Sequence, residues 1–258
     1  MPRVLLLSFL LVALGGCRSL VQSVKNEPCA ADPAYRIVTV DPAVDEVRLY
    51  LPEGAPSLTV AAVRQRVEAE GDSLIAATNA GIYEPGFVPT GLAVADGVVR
   101  VRLNTASGDG NFYLLPNGVF LVHPDGSAEV LETDAFAARY GEVAAGDTLS
   151  DVRYATQSGP LLVAGGAVHP AFRSGSENCR RRSGVGVTAD GHVVFALAEA
   201  PVRFYDFAVF FRDTLGAPDA LYLDGGGEAR QWTPKRPDDG AFAGIRAVLR
   251  KRASRAIR

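Results

Sequence analysis

The chain has 258 residues, of which 48% are hydrophobic and 21% charged, and this composition excludes disorder over most of its length. The net charge of −3 provides no bulk positive field, so no nucleic-acid partner is expected. The 27 glycines and 16 prolines are typical of many turns between short strands.

Residues 1–16 predict a signal peptide, because the apolar run at 4–14 is too short for a permanent membrane-spanning helix. Two glycines precede Cys17, and this pattern resembles the lipobox of bacterial lipoproteins. By that resemblance Cys17 becomes the lipidated N-terminus, and Arg18 directs the protein to an outer membrane, facing the periplasm. We therefore expect a lipid-anchored protein of the bacterial cell envelope, with an ordinary signal peptide as the alternative.

Residues 17–34 predict a lipidated N-terminus and tether, since they are polar and lack periodicity. Cys29 and Cys179 are the two other cysteines. An exported chain meets an oxidising compartment, so these two form a disulfide or remain as two thiols. Neither has a second cysteine or histidine at ligand spacing, so we expect no metal site there.

The first half of the chain predicts strands joined by turns. Strands are expected at residues 35–40, 44–51 and 73–78. A helix capped by Ser57 and ended by Gly71 is expected between the last two, with Leu58 on its apolar face. Hairpins are expected at Asp96-Gly97, Asn117-Gly118 and Asp125-Gly126.

The second half continues this pattern, with helices at 133–140 and 204–215 and a hairpin at Asp190-Gly191. Strands are expected at 153–157, 161–163, 184–188, 192–197 and 220–223. The fold class is therefore α+β: a single domain over residues 35–245, with mainly antiparallel mixed sheets and a few packed helices. Residues 246–258 hold six Lys or Arg and no acid. They predict a basic tail that either contacts anionic lipid or is simply solvated.

The most distinctive motif is Asp224 followed by three glycines at the end of an apolar strand. Successive glycines allow a sharp turn and bring bare N–H groups close to a ligand, as an anion site requires. The motif lacks the spacing of a dinucleotide fingerprint or a P-loop. A purely structural turn is the alternative.

Seven segments, taken in order, resemble the phosphodiester glycosidase family, and a bacterial branch of it most of all. They are NAGIY at 79–83, GNFYLLPNGVF at 110–120, QSGPLLV at 157–163, HPAF at 169–172, RSGVGV at 182–187, FYDFAVFFRD at 204–213 and ALYLDGG at 220–226. The family includes a lysosomal enzyme that removes N-acetylglucosamine from phosphodiester tags. The resemblance implies hydrolysis of a sugar whose anomeric carbon is linked to a phosphodiester.

The resemblance also implies a set of site residues. The catalytic candidates are Asp224, Asn79 and His169, and the substrate-binding candidates are Arg182, Gly81, Gly225, Gly226 and Gly227. The chain departs from the family at Glu228, where the family often has serine. Glu84 and Glu228 are further candidate carboxylates.

The chemistry of the reaction agrees with this set. A phosphate monoester is a better leaving group than an alkoxide, so less help from a general acid is needed than in ordinary glycosidases. Arg182 and the glycine N–H groups suit the leaving phosphate, and the Asp224 carboxylate suits the anomeric carbon. Each also has a structural alternative: Asp224 as a turn cap, Arg182 as surface charge, Asn79 as a turn residue and His169 as a buried structural histidine.

Three functions remain open at this point. The first is a glycoside hydrolase acting on a sugar-1-phosphodiester without a cofactor or metal. The second is a glycan- or phosphosugar-binding lipoprotein without turnover. The third is a metal-dependent phosphodiesterase using Asp224, Glu228 and His169, which chelation would distinguish from the first. The expected partners are the sugar substrate and the membrane, reached through the N-terminal lipid.

Overall fold

The computed structural model describes residues 27–52, 54, 57–237, 240–242 and 244–250. The predicted signal peptide, the lipidation site Cys17 and the last eight residues of the predicted tail lie outside this range. Among the described residues, no helix has the length and apolar character that crossing a bilayer requires.

The described chain forms short strands and three α-helices. The strands are β1 (Tyr35–Val40), β2 (Asp45–Tyr50), β3 (Leu58–Thr59), β4 (Ser73–Asn79), β5 (Tyr83–Glu84), β6 (Val88–Pro89), β7 (Ala93–Ala95), β8 (Val98–Val101), β9 (Gly118–Val122), β10 (Ala128–Glu132), β11 (Tyr154–Ser158), β12 (Leu161–Ala164), β13 (Ala167–Val168), β14 (Arg182–Val187), β15 (Val193–Ala198), β16 (Asp219–Gly225), β17 (Gln231–Trp232), β18 (Ala241–Phe242) and β19 (Ile245–Arg250). The helices are α1 (Val60–Ala69), α2 (Thr133–Tyr140) and α3 (Phe204–Val209). Short 3₁₀ turns cover Asn111–Tyr113 and Gly226–Glu228, and a π-helical turn, Phe210–Thr214, extends α3.

Three antiparallel sheets surround one central core. Their strand orders are β1-β15-β14-β16-β12-β13, β10-β9-β11-β7-β8 and β17-β4-β19-β2. Two further two-stranded pairs lie outside them, β3 with the distant β18 and the hairpin β5-β6. Buried side chains from all three sheets meet in the middle, as Val248, Phe120 and Leu221 illustrate. The fold class predicted from the sequence is confirmed.

Each large sheet carries one helix on its outer face. Val63 of α1 packs on the four-stranded sheet, Phe136 of α2 on the five-stranded sheet and Phe211 of the turn that extends α3 on the six-stranded sheet. Two glycines in β14 make room for the Phe211 ring on the six-stranded sheet. A Cβ at Gly184 or Gly186 would lie 3.0 or 2.9 Å, respectively, from the Phe211 ring.

The start of α1 differs from the prediction. Thr59, not Ser57, caps the helix, and its Oγ1 accepts a hydrogen bond from the Ala62 N–H at 3.2 Å. Leu58 lies in strand β3 rather than on the helix. The extended backbone of Thr59 explains the difference, because it lets the hydroxyl reach the first free N–H groups.

The hairpin predicted at Asn117-Gly118 is wrong, because Gly118 begins β9 and Asn117 is buried just before it. Asn117 Nδ2 donates to the Phe112 carbonyl at 2.8 Å, and its Oδ1 accepts from Thr133 Oγ1 at 2.7 Å. The asparagine therefore satisfies buried polar groups instead of forming a turn.

The domain extends further at both ends than the sequence predicted. Strand β19 lies between β2 and β4, so the domain continues through Arg250 and its predicted end at residue 245 is wrong. Arg250 Nε donates to Asp45 Oδ1 at 2.9 Å. At the other end, Cys29 and Cys179 form a disulfide, which joins part of the predicted tether to the domain.

Candidate active site

Three strand ends meet at one place in the fold. Strand β4 ends at Asn79, β14 begins at Arg182, and β16 ends at Gly225. In the β14–β16 pairing, Ser183 lies opposite Asp224 and Arg182 lies opposite Gly225. The backbone thus brings together residues that are far apart along the chain.

Asn79, Ser183 and Asp224 form a hydrogen-bonded group that we call the Asp224 network. Ser183 Oγ lies 3.1 Å from Asn79 Oδ1 and 3.0 Å from the Asp224 carbonyl oxygen. It also accepts the Asp224 N–H at 3.2 Å. Ser183 therefore links the side chain of Asn79 to the backbone of Asp224.

The amide of Asn79 has a fixed orientation. Its Oδ1 accepts from the Arg230 N–H at 3.3 Å and lies 3.4 Å from Thr78 Oγ1, in addition to Ser183. Asn79 is only 5% exposed, and its Nδ2 has no hydrogen-bond partner among the described residues. A buried amide donor without an acceptor is costly, so Nδ2 is the donor of this site most in need of an acceptor oxygen.

The carboxyl of Asp224 has a raised pKa. Its side chain is half-buried, and burial raises the pKa of its carboxyl from 3.8 to about 7. The Gly225 N–H, which donates to Oδ1 at 2.7 Å, acts against this rise, and the charge of Glu228 adds to it. Near pH 7 the carboxyl changes between neutral and charged forms, a property that clusters at functional sites.

Arg182 lies behind this network rather than facing solvent. It is 1% exposed, its Nε donates to the Val202 carbonyl at 2.9 Å, and its Nη2 donates to the Asn178 carbonyl at 3.0 Å. Its Cζ lies 3.5 Å from the centre of the Phe204 ring. Burial lowers the pKa of Arg182 to about 10, with the nearby Tyr222 opposing this change. The guanidinium remains charged but offers almost no accessible surface to a substrate phosphate in this conformation.

His169 belongs to the same layer as Arg182. Its ring stacks on Phe172 at 4.6 Å between ring centres, and Phe172 stacks on Phe204 at 4.8 Å. His169 is 4% exposed, and burial lowers its pKa, so the imidazole is neutral at neutral pH. The structure thus brings the candidates together as two groups: Asn79 with Asp224, and His169 with Arg182.

Local packing or backbone conformation favours glycine at Gly81, Gly225 and Gly226, whereas a Cβ at Gly227 would meet nothing within 4 Å. A Cβ at Gly225 would lie 2.1 Å from the Tyr222 hydroxyl oxygen, and Gly226 has φ of +62°, a conformation that favours glycine. The Gly225 N–H donates to Asp224 Oδ1, and the Gly226 N–H donates to the Arg181 carbonyl at 2.9 Å, so both already have protein acceptors. A Cβ at Gly81 would lie 2.8 Å from Thr156 Cγ2, so this glycine permits close packing on β11.

A contact between Tyr83 and Glu228 beside the Asp224 network was not predicted from the sequence. Tyr83 Oη donates to Glu228 Oε2 at 2.6 Å, and burial together with that carboxylate keeps the pKa of Tyr83 above its usual range. The signal was present in the sequence, since Tyr83 ends the NAGIY segment and Glu228 follows the glycine turn. Periodicity alone does not show that the two segments meet.

The described residues contain no group of three or more His, Cys, Asp or Glu side chains placed to hold a metal ion. His169 lies in the aromatic layer behind the site, whereas Glu228 is exposed beside Tyr83. The three metal ligands considered from the sequence therefore do not form one cluster.

A family model described as phosphodiester glycosidase matches residues 72–255. The chain belongs to the phosphodiester glycosidase family. It is also 33% identical over 208 residues to the Escherichia coli (strain K12) protein YigE, an alignment that covers 79% of this chain and 77% of that protein. The resemblance found from the seven sequence segments is confirmed.

Solved structures show the same fold. The catalytic domain of zebrafish N-acetylglucosamine-1-phosphodiester alpha-N-acetylglucosaminidase, auto-inhibited by its pro-peptide, aligns with a TM-score of 0.54 and 15% identity over 88% of this chain and 87% of that one. A hypothetical protein from Synechocystis aligns with a TM-score of 0.55 and 14% identity, over 85% of this chain and 59% of that chain. At these identities the likeness concerns the fold alone.

Proposed function

We propose that this chain hydrolyses a sugar-1-phosphodiester, releasing the free sugar and a phosphate monoester, at the Asp224 network. The observation that carries the proposal is Asp224 itself. It carries a half-buried carboxyl at a strand end with a pKa raised to about 7, and its backbone is joined through Ser183 to the buried Asn79. Membership of the phosphodiester glycosidase family supplies the reaction class.

The proposed reaction needs one carboxylate at the anomeric carbon. The bond from that carbon to the phosphodiester oxygen breaks, and its electron pair leaves with the phosphate monoester. A water oxygen forms the new bond, and its proton passes to the ionised Asp224 carboxylate. Asn79 is also buried, so we assign it to positioning: its Oδ1 holds Ser183, which in turn bonds the backbone of Asp224.

Arg182 and His169 act differently in this proposal from what the sequence suggested. Because both are buried in the aromatic layer, we assign them to positioning. Arg182 stabilises the packing of Phe204 and Tyr222, and Tyr222 lies directly under Gly225. These contacts hold the glycine turn that carries Asp224.

One observation favours a second function, a glycan- or phosphosugar-binding protein without turnover. Glu228 stands where the family often has serine, and its charge contributes to the raised pKa of Asp224. At acidic pH such a site would hold Asp224 in its neutral form, which accepts protons poorly.

We also propose that the protein is a lipoprotein of the bacterial envelope, anchored through Cys17 and facing the periplasm. The disulfide between Cys29 and Cys179 supports export, because disulfides persist in oxidising compartments. Labelling cells with a fatty-acid analogue should tag the wild type and not Cys17→Ser. Equal labelling of both would refute the lipid anchor.

A panel of sugar-1-phosphodiesters tests the proposed activity. Incubation with the soluble chain should release free sugar from at least one member, with and without a chelator. Binding without release would favour the second function. Release that stops on chelation would indicate metal-dependent phosphodiester cleavage instead.

A further inference from the structure

The hairpin of β5 and β6 presents two stacked aromatic rings next to the candidate active site. The rings of Tyr83 and Phe87 lie 5.2 Å apart at 18°, and both residues are only partly buried. Phe87 has φ of +62°, a left-handed backbone that is rare for a bulky residue. Such conformations persist where the surrounding structure enforces them, and they cluster at ligand-binding sites.

Tyr83 links this hairpin to the turn that carries Asp224. Its hydroxyl donates to Glu228 Oε2 at 2.6 Å, and Glu228 is the last residue of the turn Gly226–Glu228. Glu228 is exposed and close enough to Asp224 to influence its charge. Two aromatic rings and an accessible carboxylate therefore border the reacting group.

We propose that Tyr83, Phe87 and Glu228 form the sugar-binding side of this site and select a sugar ring without an acidic substituent. We call these three residues the hairpin face. The proposal rests on the proposed function, and it deepens that function by naming the class of sugar. The C–H face of a sugar ring is apolar and packs on aromatic rings, while a few polar groups fix its orientation.

Glu228 gives the hairpin face its selectivity. A carboxylate accepts hydrogen bonds from sugar hydroxyls, and bonds to a charged acceptor are stronger than neutral ones. The same charge repels a second acidic group on the sugar ring, such as the carboxylate of a uronic acid, so sugars with one are rejected by like-charge repulsion. The phosphodiester that every substrate carries is attached at the anomeric carbon, where Asp224 acts. Tyr83 positions Glu228 through the hydrogen bond that its hydroxyl donates. The hydroxyl stays protonated, because burial and the Glu228 carboxylate both raise the pKa of Tyr83.

The test compares two substrates that share one phosphate-linked group, a neutral hexose-1-phosphodiester and the matching uronic acid. In the wild type, kcat/KM should favour the neutral sugar. Glu228→Gln should reduce that preference by about tenfold or more, because it removes the repulsion while keeping the shape. Phe87→Ala should raise KM for both sugars by roughly tenfold, with a smaller change in kcat.

The structure does not join the candidate carboxylate Glu84 to the Asp224 network: it is exposed on the same hairpin and accepts from Thr90 Oγ1 rather than from Tyr83. Glu84→Gln is therefore the matched control. It should leave both KM and the preference unchanged. Phe87→Leu keeps an apolar side chain without the ring, so it separates stacking from a misfolded hairpin. Affinities of the same two sugars, measured by titration calorimetry, provide a readout that needs no turnover.

The outcomes separate this inference from the proposed function. A preference that Glu228→Gln leaves unchanged, or a KM that Phe87→Ala leaves unchanged, overturns the hairpin face even if the wild type hydrolyses the phosphodiester. Discrimination in binding without any hydrolysis overturns only the proposed function. A wild type that neither binds nor hydrolyses either sugar overturns both.

Discussion

Replacing Asp224 with asparagine should stabilise the fold at alkaline pH while leaving it nearly unchanged near pH 4. The carboxyl of Asp224 prefers its neutral form in the folded chain, because burial raises its pKa from 3.8 to about 7. The stability that this group contributes is therefore full below the unfolded pKa and is lost as the pH rises through the folded pKa. The asparagine side chain would carry no charge at any pH, so this loss should disappear in the variant.

The interval between 3.8 and about 7 sets a ceiling of about 4 kcal/mol on the effect, since one pKa unit corresponds to about 1.4 kcal/mol. Asp224 is only half-buried, and water screens part of the cost, so we expect about 2 kcal/mol at alkaline pH. The amide oxygen of asparagine keeps the bond from the Gly225 N–H. The substitution therefore changes charge more than packing.

Urea denaturation of both proteins at about pH 4.5 and about pH 8.5 gives their free energies of unfolding. The difference between the two proteins is then compared between the two pH values, so that groups titrating alike in both proteins make no contribution. The variant should be more stable than the wild type at the higher pH only. An identical pH dependence of the two proteins would refute the raised pKa and the burial that causes it.

Three further tests, made with single or paired substitutions, concern Arg182, the disulfide and the glycine turn. Arg182→Met should lower the free energy of unfolding by roughly 2–4 kcal/mol, because it removes two hydrogen bonds from a charged donor and the contact of the guanidinium with the Phe204 ring. A fully stable variant with a raised KM would instead indicate direct contact with substrate. Cys29→Ser with Cys179→Ser should cost roughly 3–5 kcal/mol in urea denaturation, because the disulfide closes a loop across 150 residues, and no loss would show that the bond is dispensable. Gly225→Ala should destabilise the turn through its 2.1 Å clash with the Tyr222 hydroxyl oxygen, and Tyr222→Phe should partly restore the melting temperature. Lack of any rescue would mean that another contact decides that position.

Local patterns in the sequence predicted much of the fold. Helix α2 has the expected bounds, because Gly141 with φ of +76° ends it. Strand β1 also matches, since its alternating residues pair with β15. The family resemblance implied that Asn79 and Asp224 belong to one site, and hydrogen bonds through Ser183 bring the two residues together.

Contacts between distant segments account for what local patterns missed. Strand β19 resembles a basic tail in sequence, and only its pairing with β2 and β4 makes it a central strand. Arg182 was expected to bind the leaving phosphate, because it matches a family motif and a guanidinium suits a phosphate. Phe204, which follows it much later in the chain, covers it instead. No local pattern reports the ring beneath a guanidinium or the carboxylate beside Tyr83.

The most direct test of the central claim is kcat of Asp224→Asn with a phosphodiester that the wild type hydrolyses. The variant should lose a factor of about 100 or more in kcat, equivalent to roughly 3 kcal/mol of transition-state stabilisation, with little change in KM. The wild-type rate should rise with pH through the pKa of Asp224 at about 7, because the ionised carboxylate acts. Equal kcat values for the two proteins, with the same pH profile, would contradict the assignment of Asp224 to the reacting centre.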